Sequence, residues 1–368
     1  MLAVRRKGSV VQDRVHMTLP LRALAVVLAV VCVVPVTSQE KGGIDLHGPY
    51  DAVPGWLKTV AEGWILHPVT IFAESPDRIF IGSLGVTEKA TAPPTLTIYD
   101  PRLPGARKNH HMVVVNRNGE VVERWTQWYS KFGSPHRVTI NPYDPEKHIW
   151  VVDRDSQQVM KFTHDGKQLL MAIGEEGVAG ADDRHFNQPT DLAFLPDGTF
   201  FVSDGDRGTR VVKFDRNGKF LLEFGTKGTG PGQFGSVHGL AVDARRRVYA
   251  VDRGEDRINI FDENGRFIEE WPGFVSPARI LITQDQFAWV LDADAHRVAK
   301  YDLKGKLLTY FGTPGTFPGA MATPHDFTVD PEGNLYVSNG YNHTVDKYIP
   351  KPNADRSRVV GYPLGPAR

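Results

Sequence analysis

One unit recurs along this chain at a spacing of about forty to fifty residues, the range that marks propellers and solenoids. Its clearest copy opens Ser236-Val237-His238-Gly239-Leu240-Ala241-Val242-Asp243. Corresponding openings stand at Pro135-His136-Arg137-Val138, Pro189-Thr190-Asp191-Leu192, Pro277-Ala278-Arg279-Ile280 and Pro324-His325-Asp326-Phe327. Histidine fills one column in three of these five copies, at 136, 238 and 325, with Thr190 and Ala278 between. A more divergent first copy runs over residues 67–125 and carries an insertion at about residues 85–109.

Within each copy, short runs of Val, Ile, Phe, Tyr and Trp are separated by Asp-Gly, Asn-Gly and Lys-Gly pairs, which supply the positive-φ residues of tight hairpins. Each unit therefore predicts four short strands. One four-stranded sheet cannot bury both its faces, whereas six packed radially around an axis can, so the expected fold is all-β, a six-bladed β-propeller over residues 67–350. The last copy lacks a fourth strand. Either the segment before His67 or the tail around residues 358–362 is expected to complete it. Residues 39–66 read as a lead-in rich in Gly and Pro, with a short helical piece around residues 56–64, and residues 351–368 as a C-terminal tail.

Formal charge is zero, 43 Lys and Arg against 43 Asp and Glu, which leaves no electrostatic footprint for nucleic acid. The triplet Arg245-Arg246-Arg247 reads as a solvated turn. At the N-terminus, Arg5, Arg6, Lys7, Arg14 and Arg22 precede an uncharged apolar run at residues 23–36, followed by the small residues Thr37 and Ser38. This predicts a signal peptide over residues 1–38, and hence a secreted or periplasmic protein with no stable membrane insertion after cleavage. The one cysteine, Cys32, would leave with that segment, so the mature chain is expected to have neither a disulfide nor a thiolate ligand.

In a propeller the inner strand of every blade lines the central channel, and equivalent residues form a ring. With the first copy as blade one, His136, His238 and His325 come from blades two, four and six, about a third of a turn apart. Three imidazoles converging in this way make a three-nitrogen site with a free side, the arrangement of a catalytic zinc. A second column, Asp153, Asp204, Asp252, Asp292 and Asn339, ends the second strand of each copy and is assigned to tying loops between blades. The next column contains Arg154 and Arg253, each placed either to clamp a substrate carboxylate at the channel mouth or to pair with a neighbouring aspartate. The remaining histidines (110, 111, 148, 164, 296 and 343) are expected at the surface. No Gly-x-Ser-x-Gly elbow or His-Glu-x-x-His helix is present.

The loop Gly225-Thr226-Lys227-Gly228-Thr229-Gly230-Pro231-Gly232-Gln233-Phe234 and the strand Asn334-Leu335-Tyr336-Val337-Ser338-Asn339 resemble those of NHL-repeat propellers. The glycine-rich loop joins two β units and opens no helix, so it is read as a blade connection rather than a phosphate cradle. The alternate-blade histidines, together with Asp182-Asp183-Arg184-His185-Phe186-Asn187-Gln188-Pro189-Thr190-Asp191 and Phe201-Val202-Ser203-Asp204-Gly205, resemble peptidyl-α-hydroxyglycine α-amidating lyase. That resemblance implies zinc on His136, His238 and His325, a structural calcium held by Asp326 and the Val138 carbonyl, and an active-site arginine at Arg253. It implies a small-molecule or peptide substrate, cleaved at a C–N bond to an amide and glyoxylate. The family's tyrosine position holds Asp206 and its blade-one arginine falls near Leu84. Asp206, or Tyr341 at the equivalent place on blade six, is the candidate base, and Arg154 the stand-in for the missing arginine. The alternatives are a non-catalytic propeller with a structural channel metal, and a lactonase-like hydrolase, whose sites hold calcium through carboxylate and amide oxygens.

Overall fold

The computed structural model describes residues 46–89, 105–107, 109–340 and 342–365. The expected signal segment with Cys32, most of the insertion and Tyr341 lie outside the described residues. Six antiparallel sheets of four main strands make up the described residues, together with three single-turn helices at Thr126–Trp128, Arg253–Glu255 and Arg356–Arg358. The inner strands are Trp64–Ser75, Pro135–Ile140, Pro189–Phe194, Val237–Val242, Pro277–Ile282 and Pro324–Val329. Each touches the next in turn, and the last touches the first, which closes a six-bladed β-propeller.

Burial follows position in the blade. The second strands, such as Ile149–Asp153, Phe200–Asp204 and Val248–Asp252, are buried throughout because neighbouring blades cover both their faces. The outer strands Leu169–Ile173 and Phe220–Phe224 alternate between half-buried and exposed residues up to Phe224, which is buried. Six apolar clusters result, one at each interface between blades, from Phe80, Trp125 and Phe162 between blades one and two to Ile71, Ile81, Tyr336 and Val345 between blades six and one.

Blade six draws its fourth strand from the N-terminal side. Tyr50–Val53 pairs antiparallel with Thr344–Pro350, in register from Tyr50 opposite Pro350 to Val53 opposite Lys347. The propeller therefore begins at Tyr50, inside what the sequence marks as lead-in. The tail does something else. The Tyr362 carbonyl accepts from Gln284 N–H at 2.9 Å, and Leu364 N–H donates to the Ile282 carbonyl at 2.9 Å, which lays the tail along the end of blade five's inner strand. No helix forms at residues 56–64. The Trp56 indole donates to the Arg117 carbonyl at 2.8 Å and packs on the Tyr336 ring, so side-chain anchoring to blade one rather than a helical period fixes this segment. In blade one the second strand, Arg78–Glu88, runs on past the usual end, and Ala106–Arg107 pairs with its extension.

The aspartate column has the role expected of it. Asp153 accepts from the backbone N–H groups of Gly133, Ser134 and Ser156, each at 2.9 Å, and Asp252 accepts from Gly235 and Ser236 N–H and from Arg257 Nε. In blades two to five these carboxylates fasten the incoming connection to the second strand, whereas Asn339 of blade six donates to Asp346 instead. Among the histidines expected at the surface, His111 is a correction. It is wholly buried with Nδ1 3.0 Å from the Ser83 carbonyl, because the extended strand of blade one folds over it.

Candidate metal centre at the channel mouth

Every inner strand carries a register shift at the same place. Pro135 pairs with Asp153 and Arg137 with Val152, which leaves His136 without a partner in the ladder. The same skip falls at Thr190, His238, Ala278 and His325, and in blade one at Val69. A β-bulge bends its strand and re-aims the extra side chain. Repeated six times, it yields an axial ring of Val69, His136, Thr190, His238, Ala278 and His325. The three imidazoles form a nearly equilateral triangle, with ring centroids 4.8, 4.8 and 4.9 Å apart.

Each imidazole is oriented by the next blade. His136 Nδ1 lies 2.8 Å from the Thr190 carbonyl, His238 Nδ1 2.8 Å from that of Ala278, and His325 Nδ1 3.0 Å from that of Val69. A carbonyl only accepts, so Nδ1 carries the proton and the Nε2 lone pairs are left as ligand atoms. The ligand atoms of all three lie within 4.8 Å of one another, and among the described residues no other His, Cys, Asp or Glu joins the group. Burial lowers the pKa of all three, to about 3 for His325, so they stand neutral, as metal ligands must. The donor set and its tautomers fit a borderline divalent ion of the zinc type.

Three further side chains named from the sequence lie around this triangle. Arg253 rests its Nε on Ser276 Oγ at 3.0 Å and brings a terminal nitrogen within 3.3 Å of His238 Nε2. Among the described residues no carboxylate pairs with it, which leaves its other terminal nitrogen to a ligand carboxylate. Arg154 is committed instead, bridging Asp155 at 3.0 Å and Asp206 at 3.2 Å. Asp206 stands where the backbone at Gly205 crowds the Val237 carbonyl so closely that no Cβ would fit. Burial pushes the Asp206 carboxyl up, but His136, Arg154 and His325 outweigh it and hold the group below its usual range. Since the imidazoles are neutral near pH 7, Arg154 is the partner that keeps Asp206 ionised there. Tyr341 lies outside the described residues.

The calcium expectation does not fit. Asp326 and Val138 do lie just below the histidines, but Asp326 Oδ2 accepts from Thr70 Oγ1 at 2.7 Å, from Ile71 N–H at 3.1 Å and from Arg137 at 2.9 Å. Its Oδ1 accepts from Phe327 N–H at 2.8 Å and faces Arg279 Nε at 3.3 Å. Val138 sits in the ladder opposite Val151. A carboxylate saturated by donors, two of them cationic, has no lone pair directed at a cation. The sequence reading passed over Arg137 and Arg279, although both stand in the column immediately after the histidines.

The lowered pKa values of the three axial histidines and of buried His67, held at about 3 by burial and then by His343, give a prediction. Unfolded histidines titrate near 6.5, above their folded values, so below about pH 6.5 the unfolded chain binds more protons and stability falls with pH. The slope approaches about 1.4 kcal/mol per pH unit for each histidine. Chelator-treated protein should therefore show a falling Tm from about pH 6.5 down towards pH 5. A flat Tm over that range would contradict the neutral, buried assignment.

Two family models match the chain, one described as a 6-bladed beta-propeller over residues 179–290 and the NHL repeat over residues 321–348. Peptidyl-glycine alpha-amidating monooxygenase B of Xenopus laevis is 27% identical over 288 residues, 71% of this chain and 31% of that protein. Peptidyl-alpha-hydroxyglycine alpha-amidating lyase 1 of Drosophila melanogaster is 32% identical over 166 residues, 42% of this chain and 29% of that protein. NHL repeat-containing protein 3 of Mus musculus is 29% identical over 247 residues, 61% of this chain and 69% of that protein. The chain spans less than a third of the length of the amidating monooxygenases it matches.

Proposed function

We propose, from the premise that this chain is a six-bladed propeller with NHL repeats and amidating-lyase relatives, that it is an exported, zinc-dependent carbon–nitrogen lyase acting on peptidyl-α-hydroxyglycines. The observation that carries this reading is the open face of the histidine triangle, with Arg253 and Asp206 beside it and no fourth protein ligand among the described residues. His136, His238 and His325 would hold the ion through Nε2. A zinc ion there supplies Lewis acidity, polarising a substrate oxygen.

The chain's own residues account for the rest. Arg253 offers the planar fork that binds the substrate's terminal carboxylate and fixes the α-carbon over the histidines. The Asp206 carboxylate accepts the α-hydroxyl proton. The O–H electron pair then forms the C=O bond of glyoxylate, the C–N bond breaks, and the amide nitrogen takes a proton, leaving the peptide amide. Arg154 keeps Asp206 ionised and aimed.

Metal analysis of the mature protein, paired with an assay for glyoxylate release from an α-hydroxyglycine peptide, tests this reading. One zinc per chain with glyoxylate release is expected. Zinc without release would favour the second reading, a propeller with a structural channel ion. That reading draws support from the aspartate at the family's tyrosine position and from the relative whose name carries no activity. Asp206→Asn should lower kcat by about 10²–10⁴-fold with little change in KM, the usual contribution of a general base. Its Tm should hardly move, because a part-exposed ion pair such as Arg154–Asp206 contributes about 1 kcal/mol or less. If the loss appears in Tyr341→Phe instead, the base is on blade six.

A further inference from the structure

Immediately below the histidines, the next residue of each inner strand forms a second axial ring of Thr70, Arg137, Asp191, Gly239, Arg279 and Asp326. Its four charged members come from blades two, three, five and six, so guanidinium faces guanidinium and carboxylate faces carboxylate across the axis. They close into one circuit. Arg137 reaches Asp191 at 3.3 Å and Asp326 at 2.9 Å, and Arg279 reaches Asp191 at 2.5 Å and Asp326 at 3.3 Å. All four residues are at least nine-tenths buried. The backbone completes a pseudo-two-fold pattern. Asp191 accepts from Leu192 and Leu240 N–H, each at 2.8 Å, as Asp326 accepts from Phe327 and Ile71 N–H. Where Thr70 adds a hydroxyl to Asp326, the opposite blade has Gly239, at which a Cβ would press on the Ala278 carbonyl and Arg279.

We infer that the Arg137 and Arg279 guanidinium groups take the place of a divalent structural cation at the hub of this propeller, so the chain needs no calcium to fold. Two carboxylates buried on the axis require about two compensating positive charges, since an unpaired buried charge is strongly unfavourable. A divalent ion would bring them as one movable centre. Here they arrive as two fixed forks from opposite blades, and each ties together inner strands that do not neighbour one another in sequence. The circuit also fills the axis between the histidines and the apolar cavity of about 380 Å³ at the opposite mouth, which is lined by Phe194, Val242, Ile282, Val329 and Leu364. A ligand of the histidine site therefore has one face by which to enter.

The test uses the full mature chain. After exhaustive EGTA treatment and gel filtration, calcium content is expected to be negligible, and millimolar calcium chloride should leave Tm unchanged. Stoichiometric retained calcium, or a Tm that rises with added calcium, would overturn the inference. Arg137→Gln/Arg279→Gln leaves both aspartates uncompensated. It should lose about 5 °C or more in Tm and regain part of that loss when calcium is added. An equal Tm with and without calcium in a folded double variant would also count against the equivalence of the two devices. The readouts are calcium content and unfolding, so failure here leaves the reading of the histidine site untouched.

Discussion

Replacing His238 with alanine is expected to lower metal affinity by more than about 100-fold and to abolish turnover, while leaving the propeller folded. Loss of an outer-shell partner alone typically costs about 10–100-fold in affinity, and this change removes a ligand itself. The fold should tolerate it because the same bulged column already holds Val69, Thr190 and Ala278 in the three alternate blades. Each of these presents a backbone carbonyl to the neighbouring histidine, and none needs an imidazole of its own. The substitution also removes one buried neutral histidine, so the metal-free variant should lose less stability on acidification than metal-free wild type. Metal content by elemental analysis, glyoxylate release and the pH dependence of Tm are the measurements. A variant that keeps one ion per chain and full activity would remove the histidine triangle from the chemistry.

What the sequence made legible was whatever recurs in column. The histidine column and the aspartate column repeat with the blade period, and both stand where the repeat places them. The guanidinium–carboxylate circuit sits in an equally regular column. Its members alternate in sign, though, and only the bulge preceding them shows that Arg137, Asp191, Arg279 and Asp326 face one another across the axis. Asp326 therefore faces two arginines where the resemblance implies a cation. Arg154 and Asp206 are 52 residues apart, and nothing local in either blade marks the pair. The burial of His111 depends on the extended strand of blade one, a departure from the repeat that the repeat itself cannot announce.

The closure of the ring likewise falls outside the repeat, and it carries the largest expected effect on stability. The strand Tyr50–Val53 has no counterpart elsewhere in the chain as a leading fourth strand, yet it completes blade six. Tyr50 is fully buried, its ring packs on Phe311, and its hydroxyl accepts from Val360 N–H at 2.9 Å, so a single residue joins the first strand, blade five and the tail. Tyr50→Ala should cost about 3–5 kcal/mol, the usual loss for truncating a buried aromatic side chain. That is a large share of the roughly 5–15 kcal/mol by which domains are stable. Tyr50→Phe, which removes only the hydroxyl acceptor, should cost about 1–3 kcal/mol. Removing residues 46–53 altogether would expose Thr344–Pro350 as an unpaired edge and uncover Tyr348 and Phe311, so that chain should unfold or self-associate through the new edge. Thermal unfolding and size-exclusion chromatography distinguish these outcomes. A monomeric deletion variant melting within about 2 °C of wild type would mean that blade six closes without its N-terminal strand.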